Sequence, residues 1–280
     1  MQLNIKNTFL RLFVKLMIIS ASALFINLGL KQLFLVLMPE EPSRSLRIGL
    51  IAFWCVPFIY RLLYPDQRSP TFSVGALLVT AVCPPICIIL VSYGLIVLTA
   101  PATVVYHGLH WALLRDLVYI VGFVILEEVC FRGVIFRELR GKYGFKFSMV
   151  ITSLLFGILH LGNEHLTFLS LVEVILLGSI LNLIYYRHER LLPVILFHGL
   201  WNTMLVVLGT PLSGTELFEY NTIWKTTFGG TQVLHGGDFG LEGSLFLVII
   251  SACYFIFLLK KEISKETHVE INSDQNMTTT

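Results

Sequence analysis

The chain has 280 residues, 55% of them hydrophobic and only 14% charged. Average soluble domains carry roughly 25% charged residues; with a mean hydropathy of +0.78, that gap excludes an ordinary soluble domain. The net charge of +2 is close to balance, and no basic patch is interleaved with exposed aromatics, which argues against nucleic-acid binding.

The apolar residues fall in long blocks separated by short charged stretches. The blocks run over about 12–38, 48–64, 74–99, 113–136, 147–162, 167–186, 191–209 and 241–259. Most reach the ~17–25 residues that a membrane-crossing helix needs. The first block is too long for the apolar region of a signal peptide and lacks a small-residue cleavage site. Lys31 lies near its outer end, where a lysine can snorkel to the interface. In the third block, Pro84-Pro85 predicts a kink. The stretch 210–240 forms the longest external loop, rich in Gly and Thr, and the polar tail from Glu266 to Thr280 reads as disordered.

Lysines and arginines alternate between loops. Lys6, Arg11 and Lys15 precede the first span, and Arg61 and Arg68 follow the second. Arg137, Arg140, Lys142 and Lys146 lie between the fourth and fifth. Arg187 and Arg190 follow the sixth, and Lys260, Lys261 and Lys265 follow the eighth. The intervening loops are poorer, with Arg44, Arg47, Arg115 and Lys225. By the positive-inside rule both termini are cytoplasmic. The expected fold is an all-α, polytopic membrane bundle of about eight transmembrane helices. It divides into three N-terminal spans (1–112), a four-span core (113–209), an external loop (210–240) and a last span with its cytoplasmic tail (241–280). Cys55, Cys83, Cys87, Cys130 and Cys253 all lie in apolar blocks and read as small core residues.

Ionisable residues inside a membrane mark functional sites by default. Span four holds Glu127, Glu128 and Arg132. Glu128 and Arg132 are four residues apart, so they share a helix face and can pair. Glu127 points about 100° away and is free for chemistry. Span five carries Phe156 and His160, and span seven His198 and Asn202, both at the same spacing. Span six adds Glu173 and Asn182, without a partner pattern. Taken singly, each group could be a packing network between helices. At ~1.5 Å per residue, however, Glu127 lies ~15 Å from Arg137, His160 ~21 Å from Lys146, and His198 and Asn202 ~12 and ~18 Å from Arg190. All four fall in one layer, between the cytoplasmic half and the middle of the bilayer.

A carboxylate, two imidazoles and an amide suit a hydrolase. A buried glutamate can take a proton from water, with an imidazole holding that water. A second histidine with an asparagine one turn away can stabilise an oxyanion. No serine or cysteine with a paired base stands out, so water attack is the simpler chemistry. Zinc bound by Glu127, His160 and His198 is the competing one. No HExxH is present and a metal leaves Asn202 without a role, which favours a metal-free site with no cofactor.

The set Glu127-Glu128-x-x-x-Arg132, Phe156-x-x-x-His160 and His198-x-x-x-Asn202 resembles the CPBP family of intramembrane proteases. That family includes the eukaryotic type II CAAX prenyl endopeptidase and bacterial Abi-type proteins linked to bacteriocin processing and immunity. The resemblance covers about Leu113 to Leu208. It implies that Glu127 activates water with His160, that His198 and Asn202 form the oxyanion site, and that Glu128 and Arg132 support them. The family was once described as metal-dependent and is now usually described as a glutamic protease. The short alternating loops and the lack of targeting segments look bacterial and point to the plasma membrane. The implied partners are the lipid bilayer and a peptide or protein with a membrane-associated segment, such as a bacteriocin, pheromone or CAAX-like substrate, cut near the cytoplasmic side. A non-catalytic immunity or regulatory protein that binds a membrane partner is the alternative. A transporter would show inverted repeats or broken helices in both halves, and neither is visible.

Overall fold

The computed structural model describes the backbone of residues 8–37, 43–64, 73–215 and 222–278, with side chains at all of these except 23–37, 43–48 and 263–278. Lys6 and Arg68 lie outside the described residues, as do the side chains of Lys31, Arg44, Arg47 and Lys265.

The chain folds predominantly as helices. They are α1 (Thr8–Leu37), α2 (Ser43–Leu63), α3 (Val74–Leu77), α4 (Cys83–Thr99), α5 (Trp111–Glu128), α6 (Arg137–Leu159), α7 (Phe168–His188), α8 (Leu191–Val207), the short α9 (Gln232–His235) and α10 (Leu245–Thr278). Among the described residues, Val74–Thr99 and Phe168–His188 are long and apolar enough to cross a membrane, and Gly49–Leu63 and Leu191–Val207 are shorter apolar helices. The helix α10 continues to Thr278, so the tail read as disordered has a helical backbone.

Two π-helical segments interrupt the ladder. Leu78–Val82 links α3 to α4, and Pro84-Pro85 occupies the first turn of α4. Each proline lacks an N–H, and its ring presses on the carbonyl four residues earlier. For Pro84 and Pro85 those carbonyls belong to Thr80 and Ala81, so the predicted disturbance falls in the turn just before the prolines. Val129–Phe136 joins α5 to α6 directly after Glu128. The helix α6 itself breaks at Gly144 (φ 80°, ψ 175°), a conformation that glycine adopts without a Cβ clash. The connection between the apolar blocks 113–136 and 147–162 is therefore a sharp turn at Gly144.

Sequence reading did not include a strand pair. Strand β1 (Ala102–Tyr106) pairs antiparallel with β2 (Trp224–Phe228), with Ala102 opposite Phe228 and Tyr106 opposite Trp224. Both strands are rich in β-branched and aromatic residues, which suit a pleated surface. The described part of the 210–240 stretch is thus folded, and with β1 it forms a cap. Glu242 holds it to the bundle, accepting hydrogen bonds from Trp201 Nε1 (3.0 Å), Ser213 N (2.9 Å) and Ser213 Oγ (2.6 Å).

The opposite end is stitched by ion pairs. Glu138 meets Arg11 at 2.8 Å and Lys15 at 2.6 Å and accepts a hydrogen bond from Tyr64 Oη at 2.8 Å. Arg140 pairs with Glu189, and Arg187 with Glu262. Arg11 and Lys15, counted above only as topology signals, thus clamp α1 onto α6. Of the cysteines, Cys55 and Cys130 are partly buried and pack against the core, whereas Cys83, Cys87 and Cys253 are exposed and are not core residues. A small residue inside an apolar block fits an outward helix face as readily as an inward one.

Helices α2 and α5 cross at Gly49 and Gly122. A Cβ on Gly122 would lie 2.6 Å from Gly49 Cα, and one on Gly49 would lie 2.8 Å from Tyr119 Cα. Gly122→Leu should therefore force the two backbones apart and lower the thermal midpoint in detergent. Overpacking of this kind typically costs about 1–3 kcal/mol.

Acid stability gives a second check. Burial pushes the Glu138 carboxyl up, but the hydrogen bonds from Lys15 and Tyr64 and the charges of Lys15 and Arg11 outweigh it and hold the group below the usual carboxylate range. A depressed folded value means that this stabilisation is complete above the unfolded value and is lost as pH falls through the folded one. Glu138→Gln should lower stability at neutral pH and flatten its decline in acid. Both follow from thermal midpoints recorded across pH 3 to 7, and an unchanged acid limb would contradict the assignment.

Candidate active site

The site is built around one arginine. Arg132 and Glu128 are both fully buried, and Arg132 Nη1 donates to Glu128 Oε1 at 2.9 Å. Arg132 Nη2 donates to the carbonyl of Gly178 at 2.9 Å and Nε to Asn182 Oδ1 at 3.2 Å. Its guanidinium lies over the Phe156 ring, 4.7 Å from the centroid. One planar cation thus ties the π-helical segment Val129–Phe136 to α6 and α7. Arginine suits this position because its donors are fixed in a fork. Asn182 continues the network, donating to Ser153 Oγ at 3.0 Å and to the Met149 carbonyl at 3.3 Å.

The predicted Glu128–Arg132 pair is present, but Glu128 does more than sequence spacing suggested. His198 Nδ1 lies 2.7 Å from the same Oε1 atom. With the carboxylate as acceptor, Nδ1 carries the proton, and the ring is fixed so that Nε2 faces Glu127 Oε2 at 3.8 Å. That gap is too long for a hydrogen bond. Glu127 accepts no hydrogen bond among the described residues, and its side chain is 19% exposed. It also lies within electrostatic reach of His160. Of the adjacent glutamates, one is locked in the scaffold and one is open.

His160 sits just past the last residue of α6. Its Nδ1 hydrogen-bonds the Phe156 carbonyl at 2.7 Å, and the two rings lie 4.7 Å apart. Phe156 is buried and also meets Phe131 edge-on at 5.0 Å and the His198 ring at 6.1 Å. It is the packing platform on which both histidines and Arg132 rest. Asn202 lies one turn beyond His198 on α8, half-buried, and its amide makes no hydrogen bond among the described residues. The fold thus gathers Glu127, Glu128, Arg132, His160 and His198, with Asn202 on the adjoining turn.

Sequence reading left Asn182 without a partner and did not use Gly178. Their spacing of four on α7 was the available signal: Gly178 offers a bare carbonyl and Asn182 an acceptor one turn on, the two acceptors a buried arginine needs. Among the described residues no group of three or more His, Cys, Asp or Glu side chains is placed to hold a metal ion.

Residues 109–204 match the family described as Type II CAAX prenyl endopeptidase Rce1-like, the resemblance already carried by the motifs of this segment. A Bacillus subtilis (strain 168) protein named "Putative membrane peptidase YdiL" is 31% identical over 106 residues, 38% of this chain and 41% of that protein. The chain therefore spans about two fifths of the length of the curated relative it matches. No solved structure matches the chain. Both likenesses point to a CAAX-type membrane protease for this segment.

Removing the cation should show how much rests on it. Arg132→Met leaves Glu128 charged, buried and short of a partner, and such a loss typically costs about 3–5 kcal/mol. The variant should unfold at markedly lower temperature in detergent than Arg140→Met, whose partner Glu189 is exposed.

Proposed function

We propose that the protein is an intramembrane endopeptidase that hydrolyses a peptide bond in a membrane-associated peptide or protein by glutamate-activated water attack. The observation that carries this reading is the division between the two glutamates. Glu128 is spoken for by Arg132 and His198, while Glu127 is open beside two imidazoles.

In this reading, water sits between Glu127 and His160, and Glu127 takes its proton as the oxygen attacks the scissile carbonyl. The Asn202 amide N–H groups, and His198 Nε2 in its protonated form, donate to the oxyanion. Glu127 then returns the proton to the leaving amine. Glu128 holds His198 in place, Arg132 holds Glu128, and Phe156 fixes both imidazole planes. No step uses a metal or other cofactor. The CPBP resemblance and the likeness to a membrane peptidase support the protease class. The bilayer and a peptide substrate follow from that class, and the sequence pattern favours a bacterial plasma membrane. Bacteriocin, pheromone or leader processing is the substrate range that this setting suggests.

The test compares membrane proteomes of cells expressing the wild type and Glu127→Gln, which is nearly isosteric. New peptide N-termini seen with the wild type should vanish with the variant. On the purified protein the rate of that cleavage should drop about 10²–10⁴-fold while expression and thermal midpoint stay unchanged. Cleavage should also survive a chelator. Identical N-termini from both proteins would remove Glu127 as the base, and a phenotype that persisted in Glu127→Gln without any cleavage would favour a binding role in immunity or regulation.

A further inference from the structure

We infer that Glu242 is a positioning residue of the candidate site. Through Trp201 it fixes the roll of α8, and through Ser213 it ties that helix to the loop that follows His160. Its effect on kinetics rests on the proposed function; its effect on structure does not.

Helix α8 carries His198 and Asn202, so its orientation decides where both point. A helix held by one side chain can still roll about that point. Here two side chains, three residues apart, are held. His198 Nδ1 meets Glu128 Oε1 at 2.7 Å, and Trp201 Nε1 donates to Glu242 Oε1 at 3.0 Å. Three residues make ~300° of turn, so the two bonds leave the helix about 60° apart and ~4.5 Å apart along its axis. Two pins placed in this way fix the roll and the height of α8 together. Asn202 directly follows Trp201, and where its amide points follows from that setting. Trp201 is fully buried, so its N–H needs a protein acceptor, and Glu242 supplies it.

The second oxygen of Glu242 serves the other half of the site. Ser213 N and Oγ donate to Oε2 at 2.9 and 2.6 Å. They hold Ser213 at φ 49°, in the left-handed region that residues with a Cβ rarely adopt. The Ser213 carbonyl accepts from Asn163 Nδ2 at 3.0 Å. Asn163 follows the short turn His160–Gly162, and its own N–H donates to the His160 carbonyl at 3.0 Å. A chain of hydrogen bonds thus runs from Trp201 through Glu242, Ser213 and Asn163 to His160. The same cap turn reaches the aromatic platform. Phe239, three residues before Glu242 and fully buried, belongs to one packed cluster with Phe131 and Phe156, and its carbonyl accepts from Gly214 N at 2.9 Å. Both oxygens of Glu242 accept, the pattern of a carboxylate; a glutamine would turn an NH₂ toward one of its donors.

The test uses Glu242→Gln and Trp201→Phe, singly and together, in the full chain in lipid nanodiscs. With ¹⁵N-labelled tryptophan and histidine, the Trp201 indole signal is the one missing from Trp201→Phe, and the His198 ring signals are those missing from His198→Gln. Glu242→Gln should shift the Trp201 indole and the His198 ring signals, and Trp201→Phe should shift the His198 ring. On a peptide bond that the wild type cuts and Glu127→Gln does not, each single variant should lower kcat about 10–10²-fold, the scale of a small misplacement. KM should stay unchanged, because the oxyanion contact forms only in the transition state. The double variant should be no slower than the slower single one. Leu258→Ala, at a buried position about four turns into α10, should lower the thermal midpoint and leave kcat unchanged. Should Glu242→Gln not fold, Trp201→Phe keeps an aromatic ring and carries the same readouts. Unshifted His198 signals, a loss carried by KM, or an equal loss of kcat in Leu258→Ala overturns the proposal. If no bond distinguishes the wild type from Glu127→Gln, the protease reading fails, and the His198 signals alone decide the positioning role.

Discussion

Everything in the site depends on one buried ion pair. A carboxylate and a guanidinium without exposure are costly to desolvate, and further hydrogen bonds to the pair offset part of that cost. Arg132 finds these on α7, in the Gly178 carbonyl and Asn182. Glu128 finds its second donor on α8, in His198. The requirement to satisfy two buried charges thus brings three helices together and fixes where their other polar residues point. The geometry of the candidate site follows from that electrostatic constraint.

The π-helical segment after Glu128 belongs to the same logic. It begins where the two glutamates end and contains Arg132. Such segments are rare and recur at functional sites. It places Arg132 below Glu128 while keeping Glu127 on a separate, more open surface. Phe156 completes the arrangement through its ring faces and edges, since an aromatic platform can support a cation and two imidazoles at once.

Much of this was legible in the chain itself. Spacings of four gave the Glu128–Arg132 pair, the Phe156–His160 contact and the shared face of His198 and Asn202. Apolar blocks gave the helices, and the third coincides with Val74–Thr99. Pairings between helices distant in sequence were not legible, because no local period records them. That Glu128 also holds His198, that Asn182 receives Arg132, and that Glu138 gathers Arg11, Lys15 and Tyr64 are all contacts of this kind. The strand pair was hidden for a related reason. Two five-residue runs more than a hundred residues apart carry a β pattern that becomes meaningful only when they meet.

The central claim is that Glu127 activates water and does not itself attack. A single turnover in ¹⁸O-labelled water, on a substrate identified from its new N-terminus, separates these directly. Direct water attack predicts one ¹⁸O atom in the new carboxyl terminus of the product and none in the protein. Appearance of ¹⁸O in the Glu127 side chain, with an unlabelled product in the first turnover, would show a covalent acyl intermediate on the glutamate and contradict it.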